Sequence, residues 1–222
     1  MPTPLDPHAG QPIRHRGAAI AEARLAAILI HGRGASAEDI LSLSQEFAGD
    51  DVAYLAPQAA GNTWYPYSFL APTAQNEPGL SSALGVIAAI LATLDAQGMP
   101  ATRVVLMGFS QGACLTLEFA ARHARRYAAV AALSGGLIGP PGTPRDYAGT
   151  FDGTPVFLGC SDVDPHIPLE RVRESADVFR RMGGAVDERI YRAMGHTVIP
   201  DEIDAVNAIL SGTAASARKS VR

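Results

Sequence analysis

The chain has 222 residues, of which 47% are hydrophobic, enough to bury one sizeable core and consistent with a single domain spanning 1–222. Its 18 Lys and Arg against 22 Asp and Glu give a net charge of −4 spread along the sequence, which argues against the basic face of a nucleic-acid binder or a polybasic membrane-surface segment. The two cysteines, Cys114 and Cys160, are too few for a stapled secreted scaffold and are expected as packed free thiols.

Residues 1–23 carry four prolines by position 12 and no continuous apolar run, so they read as an irregular segment. They lack the hydrophobic stretch of a secretory signal, and a cytoplasmic location is the expectation. The first apolar run, 25–30, reads as a strand and ends in His31-Gly32-Arg33-Gly34. A glycine-rich turn at a strand end can aim its backbone N–H groups into a crevice, and the Arg33 N–H is a natural donor to a developing oxyanion. His31, just before the turn, reads as a structural residue bonded to nearby loops. A helix over 37–47 and a strand over 52–56 follow.

Residues 58–79 then break the rhythm with Trp64, Tyr65, Tyr67 and Phe69. We read them as a loop above the carboxyl edge of the sheet, with Trp64, Tyr65 and Phe69 as candidate walls of a substrate pocket. The next helix is expected over 80–97, with Ser81 and Ser82 suited to its start. Its apolar stretch at 83–94 is too short and interrupted for a membrane span, so no stable membrane insertion is expected.

The strand at 104–107 leads into Gly108-Phe109-Ser110-Gln111-Gly112 and an apolar-faced helix over 112–123. Strand, sharp glycine-flanked turn and helix are the context of a nucleophile elbow, with Ser110 as nucleophile and the Gln111 N–H as the second oxyanion donor. After a strand at 130–133 comes a Gly- and Pro-rich stretch, 135–153, read as a second loop. A strand at 156–158 precedes Asp162 and Asp164, either of which could orient a histidine. Pro168 suits the start of a helix over 169–182, and a strand near 186–191 precedes Gly195-His196 and a helix at 201–210. His196 is the general base, because imidazole both takes and returns a proton near neutral pH. Residues 212–222 read as a flexible tail. Strands alternating with helices imply an α/β fold, with a mainly parallel sheet covered on both faces.

His31-Gly-Arg-Gly34, Gly108-Phe-Ser-Gln-Gly112, Asp162-Val-Asp-Pro-His-Ile-Pro168 and Gly195-His196 together resemble the phospholipase/carboxylesterase family of α/β-hydrolases, which includes acyl-protein thioesterases. The resemblance runs from about residue 25 to 210. It implies the α/β-hydrolase fold, a triad of Ser110, Asp164 and His196, and Arg33 and Gln111 as oxyanion donors. It also chooses Asp164 over Asp162, since the family's acid directly precedes the proline.

Arg33 departs from the leucine common among acyl-protein thioesterases, and its guanidinium at a pocket mouth would favour substrates with a carboxylate or phosphate. The expected activity is that of a serine carboxylesterase on short or medium acyl esters. Acyl-protein thioesterase or lysophospholipase is the alternative. A binding protein without catalysis is a further class, and a metal set of Asp162, Asp164, His166 and His196 would leave the elbow unexplained. The expected partner is a small-molecule ester or thioester, with no cofactor and no metal. Nothing in the sequence sets the oligomeric state.

Overall fold

The computed structural model describes residues 6–47 and 49–212. Its strands are β1 (Ile13–Gly17), β2 (Leu25–Ile30), β3 (Val52–Pro57), β4 (Val104–Phe109), β5 (Ala129–Leu133), β6 (Pro155–Ser161) and β7 (Ala185–Tyr191). They form one sheet in the order β1-β3-β2-β4-β5-β6-β7, parallel throughout except for β1 against β3. Five strands, β2 to β6, fall on the apolar runs read from the sequence, and β7 on the further strand expected near 186–191. β1 corrects the reading of 1–23 as irregular: its five residues, Ile-Arg-His-Arg-Gly, are all exposed at the sheet edge. Charged side chains blunt an open edge against unwanted pairing, and the same polarity conceals the strand from a search for apolar runs.

The helices are α1 (Ala37–Ser42), α2 (Gly79–Ala96), α3 (Gln111–Arg122), α4 (Leu169–Arg181) and α5 (Pro200–Leu210). Alternation along the strands divides the core between the two faces of the sheet. Ile28, Ile30, Leu106, Val130, Ala132 and Leu158 pack with α2, α3 and α4, while Ala27, Leu29, Val105, Met107, Ala131 and Phe157 pack with α1 and α5. Strands apolar on both faces are what a parallel sheet between two helical layers requires.

Two helix boundaries differ from expectation. α1 stops at Ser42 and continues only as a 3₁₀ turn, Leu43–Gln45. α2 begins at Gly79, before Ser81 and Ser82, because the Glu77 carboxylate already accepts the Ser81 N–H at 3.0 Å. The Ser82 hydroxyl instead accepts the His8 N–H at 3.0 Å. With a mean hydropathy of 1.7 over 18 residues, α2 is long and apolar enough to cross a membrane, yet half of it is buried in the fold. Most of the tail read at 212–222 lies outside the described residues.

After β3 the chain crosses β2 to form β4 on its other side, so the strand order reverses between β2 and β4. Parallel sheets open a crevice beyond their carboxyl ends at such a reversal. The turn after β2 and the turn after β4 both lie there, and β6 and β7 end on the same edge.

Candidate active site

Ser110 sits between β4 and α3 with φ 55° and ψ −119°. This is a strained conformation for a residue bearing a Cβ, and it turns the side chain out of the sheet. The local sequence permits it because glycine flanks the turn. A Cβ on Gly108 would lie 2.3 Å from the Gly112 carbonyl oxygen, and one on Gly112 only 2.1 Å from the Ile30 carbonyl oxygen. The Ser110 N–H donates to Leu133 O at 2.9 Å and its carbonyl accepts the Cys114 N–H at 3.0 Å, fastening the elbow to β5 and α3.

The loop after β7 brings His196 to this serine, with Nε2 2.8 Å from Ser110 Oγ. On its other side Nδ1 lies 2.7 Å from Asp164 Oδ2. The Asp164 side chain is fully buried and that of His196 is 16% exposed. Burial alone would raise the Asp164 carboxyl. The bond to His196 and the N–H groups of His166 (2.8 Å) and Ile167 (3.0 Å) outweigh it and hold the group below the usual carboxylate range. An ionised Asp164 fixes the proton on Nδ1 and leaves the Nε2 lone pair toward the serine hydroxyl. Asp162 is exposed and accepts the Ala193 N–H at 2.8 Å, bracing the loop that carries His196. The four residues of the alternative metal set therefore do not group as ligands: Asp164 and His196 bond each other, and Asp162 turns to the backbone.

Gln111 is the first residue of α3, so its N–H has no acceptor within the helix. The Arg33 N–H carries no backbone hydrogen bond among the described residues. Both residues line a cavity of about 460 Å³ with Ser110 and His196 at its base. Tyr65, Phe69, Cys114 and Ile167 supply its apolar wall, and Phe109, His166 and the exposed Tyr67 complete the lining. The Phe109 ring lies 5.0 Å from His196, and His166 meets the same imidazole edge-on at 4.8 Å.

Residues 18–213 match the family described as Phospholipase/Carboxylesterase. The chain belongs to that family. A phospholipase/carboxylesterase of Dyadobacter fermentans superposes with a TM-score of 0.89 at 42% identity, covering 94% of this chain and 100% of that one. Esterase PE8 follows at 0.75 and 27%, covering 91% and 98%. Acyl-protein thioesterase 1 of Gibberella zeae is 33% identical over 116 residues, 51% of this chain and about half of that protein's length (49%). The fold is accordingly that of the α/β-hydrolases, as expected.

One pocket expectation needs correction within this phospholipase/carboxylesterase scaffold. Trp64 is fully buried and does not line the cavity. Its Nε1–H donates to His31 O at 2.9 Å, and its ring packs between His31 (4.9 Å) and His8 (5.3 Å). An indole with a reachable carbonyl partner is more stable inside than at a pocket wall. Arg33 is exposed and lines the cavity, and part of its guanidinium is engaged by the aromatic loop. It donates to the carbonyls of Tyr65 (2.9 Å), Pro66 (2.9 Å) and Tyr67 (2.7 Å). His31 does have the structural role expected: Nδ1–H donates to Gly32 O at 2.8 Å, Nε2 accepts the Ala59 N–H at 3.1 Å, and burial lowers its pKa. Phe109 and the Gln111 amide escaped the sequence reading, and His166 entered it only in the alternative metal set, not as a cavity residue. Gln111 alone carried a signal, as an amide directly after Ser110 in the elbow sequence.

Behind the histidine loop, Glu202 of α5 is completely buried. Its Oε2 accepts the Ile199 N–H at 3.1 Å, while Oε1 has no partner among the described residues. Burial pushes this carboxyl up to about 7, with the Ile199 bond opposing and the Asp201 charge adding to the rise. Below the ordinary glutamate value near 4.5 it is protonated whether folded or unfolded, so it adds no pH dependence to stability there. Between that value and 7 only the folded state keeps the proton, and stability falls as pH rises by up to about 1.4 kcal/mol per pH unit. Glu202→Gln is therefore expected to match wild type near pH 4.5 and to exceed it increasingly up to pH 7.5, measured by urea denaturation. A difference independent of pH would contradict the assignment.

Proposed function

We propose that the protein is a serine carboxylesterase that cleaves esters of short or medium acyl chains through an acyl-enzyme. The observation that carries this reading is the Ser110–His196–Asp164 relay, with contacts of 2.8 and 2.7 Å on a strained elbow at the sheet's switch point. Ser110 Oγ–H donates to His196 Nε2 and attacks the acyl carbon as the proton transfers. The tetrahedral oxyanion takes the N–H groups of Arg33 and Gln111. His196 then gives its proton to the leaving oxygen, and water repeats the sequence to release the acid. Asp164 stays ionised and stabilises the intervening imidazolium. A fluorophosphonate probe should label wild type at Ser110, as read by peptide mass, and unlabelled folded protein would refute the reading.

The acyl preference is supported by the cavity wall. Phe69 is almost fully buried; its carbonyl accepts the Gly139 N–H at 2.7 Å, and its ring lies 5.9 Å from the buried Arg171 guanidinium. A wall held this way does not yield to a longer chain, so each methylene beyond the wall loses the roughly 0.8 kcal/mol it would gain by burial. Along a series of acyl esters, kcat/KM should peak at a limited length, and Phe69→Ala should move the peak toward longer chains. A wild-type preference for palmitoyl thioesters would favour the thioesterase alternative. A cytoplasmic setting goes with this reading, supported by two buried free thiols.

A further inference from the structure

The two residues whose N–H groups flank Ser110 are tied together by their side chains. The Arg33 guanidinium donates through Nη2 to Tyr65 O at 2.9 Å. The Gln111 amide donates through Nε2 to the same oxygen, also at 2.9 Å. One carbonyl has two lone pairs, and here both are taken, one from each half of the crevice. Arg33 also holds the next two carbonyls, those of Pro66 and Tyr67, and Gln111 Oε1 accepts the Trp64 N–H at 3.0 Å. The neighbouring Gly34 N–H donates to Asn62 O at 2.7 Å.

Such a bridge has a mechanical consequence. Arg33 lies in the turn after β2 and Gln111 begins α3, and this turn and the elbow are joined to one segment, 62–67, whose Tyr65 also lines the cavity. A planar guanidinium that spans three successive carbonyls restricts both its own backbone and the loop it holds. Displacing reacting groups by about 1 Å is enough to cost on the order of 100-fold in rate.

We propose that the Arg33 and Gln111 side chains are positioning residues that set the spacing of the oxyanion donors through the shared Tyr65 carbonyl. Acyl chains pressing on the Tyr65 ring are then penalised in kcat as well as in binding, because the wall and the oxyanion donors move together. This inference rests on Ser110 being the nucleophile.

The test uses Arg33→Met and Gln111→Met, which remove the side-chain bonds and keep both backbone N–H groups. Kinetics on the preferred short ester are measured per active site, titrated with the fluorophosphonate. Each variant should lower kcat about 10- to 100-fold while changing KM less than about threefold, the mark of an interaction felt mainly in the transition state. Arg33→Lys should recover part of the loss, since an ammonium still donates to the loop. The double variant should lose less than the product of the single losses, because both act through one carbonyl. If kcat per active site stays within threefold of wild type in both variants, the proposal fails even though Ser110-dependent turnover persists. Should Arg33→Met not fold, Gln111→Met and Arg33→Lys decide the matter in the same way. Full turnover in Ser110→Ala would overturn the underlying reading instead.

Discussion

Ser110→Ala should lower kcat/KM for ester hydrolysis by at least about 10³-fold, the scale on which triad members act. The protein should remain folded. Ser110 is only partly buried, and its φ of 55° strains alanine and serine alike, so the substitution adds no new backbone cost. His196→Ala removes the proton acceptor and should be comparably severe, and combining the two should cost little more than either alone. The acids separate by geometry. Asp164→Asn breaks the charge-assisted bond at 2.7 Å and can leave the imidazole in the wrong tautomer. Asp162→Asn retains a carbonyl oxygen able to accept the Ala193 N–H, so the loop around His196 should shift little. Activity should therefore fall far more in Asp164→Asn, as read by kcat/KM with folding monitored by circular dichroism. Near-wild-type turnover in Ser110→Ala would reject the mechanism, and the reverse ranking of the acids would move the orienting role to Asp162.

The parts of this arrangement that were legible in the sequence are those governed by local rules. An apolar run between turn residues marks a buried parallel strand, so β2 through β6 could be placed from composition. Gly108 and Gly112 around Ser110 mark a reversal that few other residues permit. The choice between Asp162 and Asp164 was not local, and spacing alone left it open. In the structure it follows from three N–H donors converging on Asp164, those of His196 and of His166 and Ile167 in its own turn. Side-chain direction in irregular segments was equally out of reach. Trp64 and Tyr65 are neighbours in sequence, yet Tyr65 lines the cavity while Trp64 turns away to His31, a partner more than 30 residues distant. The Arg33 guanidinium was read at the pocket mouth, but nothing in its neighbourhood announces its bonds to three carbonyls of residues 65–67.

The largest effect on folding is expected from Gly112→Ala. In an exposed helix, alanine in place of glycine stabilises by about 0.5–1 kcal/mol, since the unfolded chain has less freedom to lose. Gly85 in α2 is such a position: a Cβ there meets nothing within 4 Å. At Gly112 the same methyl group would lie 2.1 Å from Ile30 O and 2.6 Å from His31 O. These are backbone atoms of β2 and the turn after it, and β2 is held on both sides by β3 and β4, so they cannot move aside. α3 must back away from the sheet instead, opening its contacts with Ile30 and tilting the elbow at its start. Overpacking of this kind, against backbone rather than a side-chain tip, belongs at the upper end of the usual range and should cost about 3 kcal/mol, well beyond the propensity gain. Gly85→Ala is the control, expected to raise the urea midpoint with an unchanged slope. Gly112→Ala should lower the midpoint sharply, and whatever remains folded should hydrolyse esters poorly because Ser110 and the Gln111 N–H shift with the helix. A Gly112→Ala protein as stable and active as wild type would mean that α3 can leave β2 at little cost, and that the close approach of helix to strand is not what holds the nucleophile in place.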